Sequence, residues 1–184
     1  NPEPEIAVIA SSKGRIVGAA LGNDVNLRDV EGRSALLLGK AKDNNASCSL
    51  GPLVRIFDDG FTIDDVRVAE VRLSITGEDQ FVLRGTSNMA EISRDPLDLV
   101  RQTLSEHHYP DGFVLFLGTL FAPVQDRDEA GRGFTHKVGD VVTIESDKLG
   151  QLQNRVVTSR DAAPWRTGIA ALYANLLSRG LLKA

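Results

Sequence analysis

The sequence contains few residues with sulfur, imidazole or aromatic side chains. Among 184 residues there is one cysteine, three histidines and 5% Phe, Trp and Tyr. The single cysteine, Cys48, excludes an internal disulfide framework and is typical of a reducing compartment, so a cytoplasmic location is expected. His107 and His108 are neighbours and diverge by about 100° on a helix. A zinc site is therefore not indicated.

The chain also lacks an excess of basic residues and a long apolar run. Its 21 Lys and Arg residues are outnumbered by 25 Asp and Glu residues, which gives a net charge of −4. Nucleic-acid-binding surfaces are usually basic, so no nucleic-acid partner is expected. No stretch reaches the roughly 18 apolar residues of a membrane-spanning helix, so no membrane partner is expected either.

The apolar pattern predicts mainly antiparallel strands. Residues 6–10 and 15–22 are apolar runs separated by Ser-Ser-Lys-Gly, which is a hairpin signal. Residues 66–76 alternate in two registers, which predicts a strand with a bulge near Ala69. The same reasoning predicts further strands at residues 53–57, 80–84, 113–119 (buried on both faces), 138–146 and 152–158.

Two helices are expected. Asp95-Pro96 is typical of a helix start, and the first helix is predicted to run to about residue 107. Residues 164–179 have an amphipathic pattern that ends at Gly180. Trp165 is predicted to lie in the core or in a dimer contact. At 42% hydrophobic residues, the chain can form one domain over residues 1–184.

Three carboxylates and one lysine form a candidate metal site. Glu3 and Glu5 are two residues apart, so on a strand both point to one face. The hairpin could bring Asp24 to the same place, where three carboxylates repel one another unless a cation binds. Oxygen ligands suit Mg²⁺ or Mn²⁺, and Lys42 would be a base or an electrostatic partner. The alternative is that these residues form no site: Glu3 and Glu5 would then lie in a solvated terminus, Asp24 in a turn and Lys42 in a solvated loop.

Two later segments could contribute to the same site. Gly118-Thr119 follows an apolar strand, so the hydroxyl of Thr119 could face a ligand or could simply end the strand. The polar segment 122–137 could cover the site, with arginines such as Arg127 binding a carboxylate. It could equally be a solvated connector.

Taken in order, these segments resemble the C-terminal domain of the fumarylacetoacetate hydrolase superfamily over essentially the whole chain. The matching stretches are GNDVNLRDVEGRSALLLGKAKDNNASCSLGP, FLGTLFAPVQDRD, GRGFTHKVGDVVTIES and LGQLQNRVVTS. The resemblance implies an α+β fold, a mixed and largely antiparallel β-rich roll with a few short helices. It also implies metal ligands at Glu3, Glu5 and Asp24. The family's lysine falls on Lys40 or Lys42, of which Lys42 fits better, and its Gly-Thr falls on Gly118-Thr119.

Within the superfamily, the chain is most similar to dehydratases of 2-keto-3-deoxypentonates. The sequence Asp-Val-Asn-Leu-Arg at residues 24–28 departs from the pattern of the acylpyruvate hydrolases. The resemblance implies a 2-oxo acid substrate, Mg²⁺ (Mn²⁺ or Ca²⁺ being possible), a metal-stabilised enolate and 2-oxoglutarate semialdehyde as product. Lys42 would stabilise the enolate, and Thr119 would bind the substrate carboxylate.

Two other functions stay open at this point. The first is a C–C bond hydrolase of diketo acids, which would use the same metal site. The second is an inactive dimerisation platform. The family resemblance also implies a homodimer, and it implies that a chain starting at Asn1 without methionine is the C-terminal part of a longer protein.

Overall fold

The computed structural model describes residues 1–119, 121 and 123–182, which form an α+β fold of two antiparallel sheets and short helices. The strands are β1 (Pro4–Ala10), β2 (Ile16–Asp24), β3 (Cys48–Leu50), β4 (Arg55–Ile56), β5 (Glu70–Thr76), β6 (Val82–Asn88), β7 (Phe113–Phe116), β8 (Val141–Ser146) and β9 (Gly150–Arg155). The helices are α1 (Arg28–Glu31), α2 (Leu38–Lys42), α3 (Ile63–Arg67), α4 (Pro96–Thr103) and α5 (Ile169–Ser178). The predicted fold class is confirmed.

The first sheet is built around the hairpin of β1 and β2. Its strand order is β3-β2-β1-β7, and β4 also pairs with β2. Pro4 lies opposite Asn23 and Glu5 lies opposite Gly22, as the predicted hairpin requires. Gly14 adopts a φ of 75° in the connecting turn, a conformation that glycine adopts without steric cost.

The second sheet has the order β6-β5-β8-β9 and packs on the first around one core. Alternate residues of each strand point to this core. The buried side chains at its centre include Ile6, Val8 and Leu21 from the first sheet and Leu73, Ile75, Val142 and Ile144 from the second. We call the face of the first sheet that points away from this core its distal face.

The prediction of one bulged strand over residues 66–76 was wrong in its first part. Thr62 caps α3, its side chain and that of Asp65 forming a capping box, and the strand β5 begins only at Glu70. The cap satisfies backbone donors that a strand would leave exposed. Val66 is buried as a residue of α3.

Three other predictions need correction. The strand at residues 113–119 is not buried on both faces, because β7 pairs only with β1 among the described strands and Val114 is 44% exposed. Helix α4 ends at Thr103 instead of near residue 107. Helix α5 buries none of its residues, and Trp165 is 83% exposed, so neither belongs to the core.

The strands of the closing hairpin begin or end a few residues away from the predicted positions 138–146 and 152–158. Residue 122, the first of the predicted loop 122–137, lies outside the described residues. The closing hairpin is present as β8 and β9, and its two strands pair from Val141 opposite Arg155 to Ser146 opposite Gly150. Within the described residues, every helix is too short or too polar to cross a membrane.

Candidate metal centre

The distal face of the first sheet brings Glu3, Glu5 and Asp24 together. Because β1 and β2 are antiparallel, residues at the start of one lie beside residues at the end of the other, and the backbone N–H of Asp24 donates to the carbonyl of Glu3 at 3.1 Å. One carboxylate oxygen from each of the three residues lies within 4.8 Å of the other two. We call these three residues the acidic cluster.

Lys42 is the cation of this cluster. Its Nζ atom lies 2.5 Å from Glu3 Oε2 and 2.8 Å from Asp24 Oδ2, and it also donates to the carbonyl of Asp24 at 2.7 Å. Burial alone would lower the pKa of Lys42, but the hydrogen bonds to Asp24 and Glu3 outweigh it and hold the pKa above its ordinary value. Lys42 is therefore positively charged at neutral pH. Lys40, on the same helix, is exposed.

Glu5 is the most enclosed of the three carboxylates, with 4% of its surface exposed. Its Oε2 atom accepts a hydrogen bond of 2.7 Å from the backbone N–H of Gly118, whose φ is +95°. Burial raises the pKa of Glu5 to about 7, and the negative charges of Asp24 and Glu3 add to the effect against the opposing Gly118 hydrogen bond. Because a nearby cation stabilises ionised carboxylates, cation binding would offset the repulsion among these three groups.

Two asparagines, one in β2 and one just after it, support Glu3, and neither was predicted from the sequence. The side-chain amide of Asn26 donates to Glu3 Oε1, and Asn23 Oδ1 accepts the backbone N–H of Glu3 at 3.1 Å. Asn26 could have been found, since it follows Asp24 by two residues and its side chain can reach the same carboxylates. Asn23 could not, because it points to the core face.

Thr119 lies next to the residue that holds Glu5, but its hydroxyl is engaged locally. It donates to the carbonyl of Phe121 at 3.0 Å. The backbone N–H of Phe121 in turn donates to the same hydroxyl oxygen at 3.3 Å. The predicted contact between Thr119 and a substrate carboxylate stays a prediction.

Arg127 is held away from the acidic cluster in a separate ion-pair network. Its guanidinium donates to both oxygens of Asp140 at 2.6 and 2.9 Å and to Asp79 at 2.8 Å, and its side chain is 2% exposed. It also stacks on Phe81, 4.5 Å from the ring centre. The structure does not bring Arg127 together with the other predicted site residues, and its predicted binding of substrate stays a prediction.

The donor set of the acidic cluster fits a hard divalent cation. Three carboxylates supply oxygen ligands, and these suit Mg²⁺ or Mn²⁺ better than softer metals. Cys48 lies opposite Asp24 in the sheet. Burial and the charges of Asp24 and Glu5 raise the pKa of its thiol, so it stays protonated and is a poor ligand.

Comparison with known proteins gives this geometry a family context. The family model described as fumarylacetoacetate (FAA) hydrolase C-terminal matches residues 4–157. The matched range contains Glu5, Asp24 and Lys42 and stops before α5.

Curated relatives and a solved structure carry dehydratase names. The chain is 31% identical over 157 residues to a probable 2-keto-3-deoxyxylonate dehydratase of Haloferax volcanii, covering 85% of this chain and 50% of that protein. It is 28% identical over 151 residues to the 2-dehydro-3-deoxy-D-arabinonate dehydratase of Saccharolobus solfataricus, covering 82% of this chain and 47% of that protein. The chain thus spans about half the length of these curated relatives.

The solved structure of a 2-keto-3-deoxy-D-arabinonate dehydratase complexed with magnesium and 2,5-dioxopentanoate is also similar. It superimposes with a TM-score of 0.73 at 27% identity, over 84% of this chain and 52% of that one. The similarity therefore extends to a fold that, in that protein, binds magnesium and a small oxo acid.

Proposed function

The chain belongs to the family described as fumarylacetoacetate (FAA) hydrolase C-terminal. On this basis, we propose that the protein is a Mg²⁺-dependent dehydratase of 2-keto-3-deoxy sugar acids. The reaction removes one water from a 2-keto-3-deoxypentonate and gives 2,5-dioxopentanoate, which is 2-oxoglutarate semialdehyde. The observation that carries the proposal is the convergence of three carboxylates beside Lys42. The dehydratase names of the relatives support the choice of substrate class.

The residues of the acidic cluster, Lys42 and Gly118-Thr119 would have different roles in this reaction. Glu3, Glu5 and Asp24 would hold the cation, and a bound Mg²⁺ would supply Lewis-acid stabilisation of the charge that develops on the substrate's 2-oxo group. Lys42 would act as a cationic hydrogen-bond donor beside that charge and not as a base, because its raised pKa keeps it protonated. The backbone at Gly118-Thr119 would position the substrate carboxylate.

Loss of the C3 proton and of the C4 hydroxyl as water gives a 3,4-unsaturated acid. Loss of a C5 proton, with reprotonation at C3 and C4, then gives the aldehyde of 2,5-dioxopentanoate, so both steps require a base. Glu5, with a pKa raised to about 7, is the described carboxylate of the cluster that would most readily hold a proton in metal-free protein. Once it is a metal ligand it no longer serves as a base. We therefore propose that the base is supplied from outside this cluster.

Turnover assays of the full-length protein test this function. The protein is incubated with Mg²⁺ and either a 2-keto-3-deoxypentonate or an acylpyruvate, and the products are identified by mass spectrometry. We expect 2,5-dioxopentanoate from the first substrate, and loss of its formation when EDTA is added. Cleaved acids from the acylpyruvate, with no product from the sugar acid, would replace the dehydratase with the C–C hydrolase. No product from either would favour the inactive dimerisation platform.

We also propose that the protein acts as a homodimer in the cytoplasm. The proposal is supported by apolar side chains that stay exposed around the short strands β3 and β4. Exposed fractions are 75% for Leu53, 59% for Ile56 and 41% for Val54, and exposed apolar patches often mark protein contacts. Sedimentation velocity of the full-length protein measures the state, and a monomer at all concentrations would contradict the dimer.

A further inference from the structure

The proposed metal ligand Glu3 lies in a segment with almost no backbone hydrogen-bond donors. Its two neighbours, Pro2 and Pro4, are prolines, and a proline has no backbone N–H. Glu3 therefore supplies the only backbone donor of this segment. That N–H donates to Oδ1 of Asn23 at 3.1 Å, and the carbonyl of Glu3 accepts the backbone N–H of Asp24 at 3.1 Å. Two consecutive residues of β2 thus hold the backbone of Glu3, one of them through its side chain.

Asn23 is buried on the face of the first sheet opposite to the acidic cluster. It is 1% exposed, and it precedes Asp24 in β2, so the two side chains point to opposite faces. A buried amide costs stability unless its polar atoms are paired. A backbone N–H can only donate, so the group that Asn23 presents to Glu3 must be the oxygen, and Nδ2 is left to face the second sheet. The contact with Glu3 therefore sets the orientation of this amide.

The second sheet supplies the partner for the amide of Asn23. Its Nδ2 atom donates to Oδ1 of Asn154 in β9 at 3.2 Å. Nδ2 of Asn154 donates in turn to Oγ of Ser49 at 3.0 Å, and Ser49 lies opposite Asn23 where β3 pairs with β2. Each residue thus donates to the next, from Glu3 through Asn23 and Asn154 to Ser49. We call this series of hydrogen bonds the amide relay.

The amide relay links the acidic cluster to a distant part of the chain. Asn154 follows Asn23 by 131 residues and lies in the second sheet, whereas Asn23 and Ser49 belong to the first. All three side chains are neutral. Their effect on the acidic cluster is therefore on the position of Glu3 and not on the charge around it.

We propose that Asn154 is a positioning residue for the metal centre, acting through Asn23 on the backbone of Glu3. While Asn154 holds the amide of Asn23, Oδ1 stays aimed at the N–H of Glu3, and the Glu3 carboxylate stays in the acidic cluster. Without Asn154, the amide of Asn23 loses its partner and turns, which releases the N–H of Glu3. The proposal rests on the part of the proposed function that assigns a divalent cation to the acidic cluster, but not on the reaction or its substrate.

Binding of Mn²⁺ to the full chain, followed by electron paramagnetic resonance, tests the proposal. Asn154→Leu removes the acceptor for Asn23 and keeps a side chain of similar size. Asn154→Asp keeps an oxygen acceptor at the same place, and the hydroxyl of Ser49 can then donate to its other oxygen. Gln153→Ala is the matched control, because it removes an exposed amide of the same strand that donates to Oγ1 of Thr143 at 3.2 Å.

We expect Asn154→Leu to bind Mn²⁺ about tenfold more weakly than the wild type, which is the lower end of the range for residues that support metal ligands. Asn154→Asp and Gln153→Ala should stay within about threefold of the wild type. A purely structural role would lower the thermal midpoint but leave the affinity of the folded protein unchanged. Equal affinities for Asn154→Leu and the wild type would overturn the proposal, as would equal losses in Asn154→Leu and Asn154→Asp. A wild type that binds no Mn²⁺ would instead overturn the metal centre itself, and the proposal with it.

Hydrogen exchange at the Glu3 amide is a second measurement, and it needs no metal. In the metal-free wild type, this N–H should exchange at least about tenfold more slowly than in an unstructured peptide, and Asn154→Leu should remove most of the protection. NMR of the ¹⁵N-labelled full chain measures the rate. An unprotected Glu3 amide in the wild type would overturn the proposal even if Asn154→Leu failed to fold.

Discussion

Two charged clusters in this molecule use similar residues for different purposes. The acidic cluster on the distal face of the first sheet has three carboxylates and one cation, Lys42. The second, which we call the arginine cluster, consists of Arg127, Lys137, Asp79, Asp128 and Asp140. Here two cations form ion pairs with three carboxylates. The side chains of Asp140 and Arg127 are almost completely buried.

The two clusters differ in how well their negative charges are balanced. In the arginine cluster, both oxygens of Asp140 accept hydrogen bonds, from Arg127, from His136 and from the backbone of Lys137. In the acidic cluster, burial leaves Glu5 with a raised pKa and only one hydrogen bond from the protein, among the described residues. A surplus of buried negative charge, more than the presence of acidic residues, indicates a cation site.

The largest expected effect is the loss of a metal ligand. Asp24→Ala removes one of three carboxylates, so we expect the affinity for Mg²⁺ to fall by more than about 100-fold and turnover to fall below detection. The metal affinity is measured by calorimetry with Mg²⁺ or by electron paramagnetic resonance with Mn²⁺. Glu106→Ala, at an exposed position outside both clusters, is the control. Unchanged metal affinity in Asp24→Ala would disprove the assignment of the acidic cluster.

The next effect distinguishes the two lysines of α2. Lys42→Ala removes the cation that contacts Glu3 and Asp24, and we expect turnover to fall by about 10²–10³-fold while Mg²⁺ still binds. Lys40→Ala should leave both quantities within twofold of wild type, because that side chain is exposed. If Lys40→Ala lost turnover and Lys42→Ala kept it, the catalytic lysine would be Lys40.

Arg127→Ala should act on stability instead of on the reaction. The substitution leaves Asp140 buried beside an empty space, and breaking a buried ion pair in this way costs about 3–5 kcal/mol in the free energy of unfolding. Chemical denaturation measures this cost. Arg132→Ala, whose side chain is 77% exposed, is the control and should change stability by less than about 0.5 kcal/mol. If Arg127→Ala kept its stability and its KM for the substrate rose, the result would support the prediction that Arg127 binds the substrate.

The smallest effect is the pH dependence that Glu5 gives to the acidic cluster. Glu5 has a pKa of about 7 in the folded protein against an ordinary value of 4.5, so the folded state binds the extra proton between these values. Without metal, the contribution of Glu5 to stability is therefore greatest below pH 4.5 and declines as pH rises to about 7. Metal binding must expel this proton, so Mg²⁺ affinity should fall by about tenfold per pH unit below 7.

Glu5→Gln separates this effect from the titration of other groups. The variant cannot ionise at position 5, so its thermal midpoint without metal should lose the decline between pH 4.5 and 7 that the wild type shows. Parallel pH profiles for the two proteins would mean that Glu5 ionises in the ordinary range.

The acidic cluster could be predicted from the sequence largely because its three carboxylates lie on or beside one hairpin. Two apolar runs separated by Ser-Ser-Lys-Gly predicted β1 and β2, and the spacing of Glu3 and Glu5 then put both on one face. The choice between Lys40 and Lys42 needed the family pattern, because both lie in a short polar helix.

The remaining features depend on contacts that no local pattern encodes. Arg127 meets Asp79 across 48 residues of sequence, so its segment looked like an open loop. Helix α3 was misread because Val66 and Val68 are typical of strands, although the Thr62 and Asp65 spacing is a capping-box signal. The lack of burial on α5 could not be predicted from its amphipathic pattern, which normally indicates packing against a core.

The pairing of Glu5 with Gly22 in the β1–β2 hairpin has a consequence for the order of folding. Hairpins close in about 1–10 μs, far sooner than sheets that join distant segments. The carboxylates of Glu3, Glu5 and Asp24 would gather while Asn154, which anchors Asn23 across 131 residues, is still unattached. We therefore expect a divalent cation added during refolding to bind the hairpin and to accelerate formation of the first sheet, which stopped-flow refolding with and without Mg²⁺ would measure.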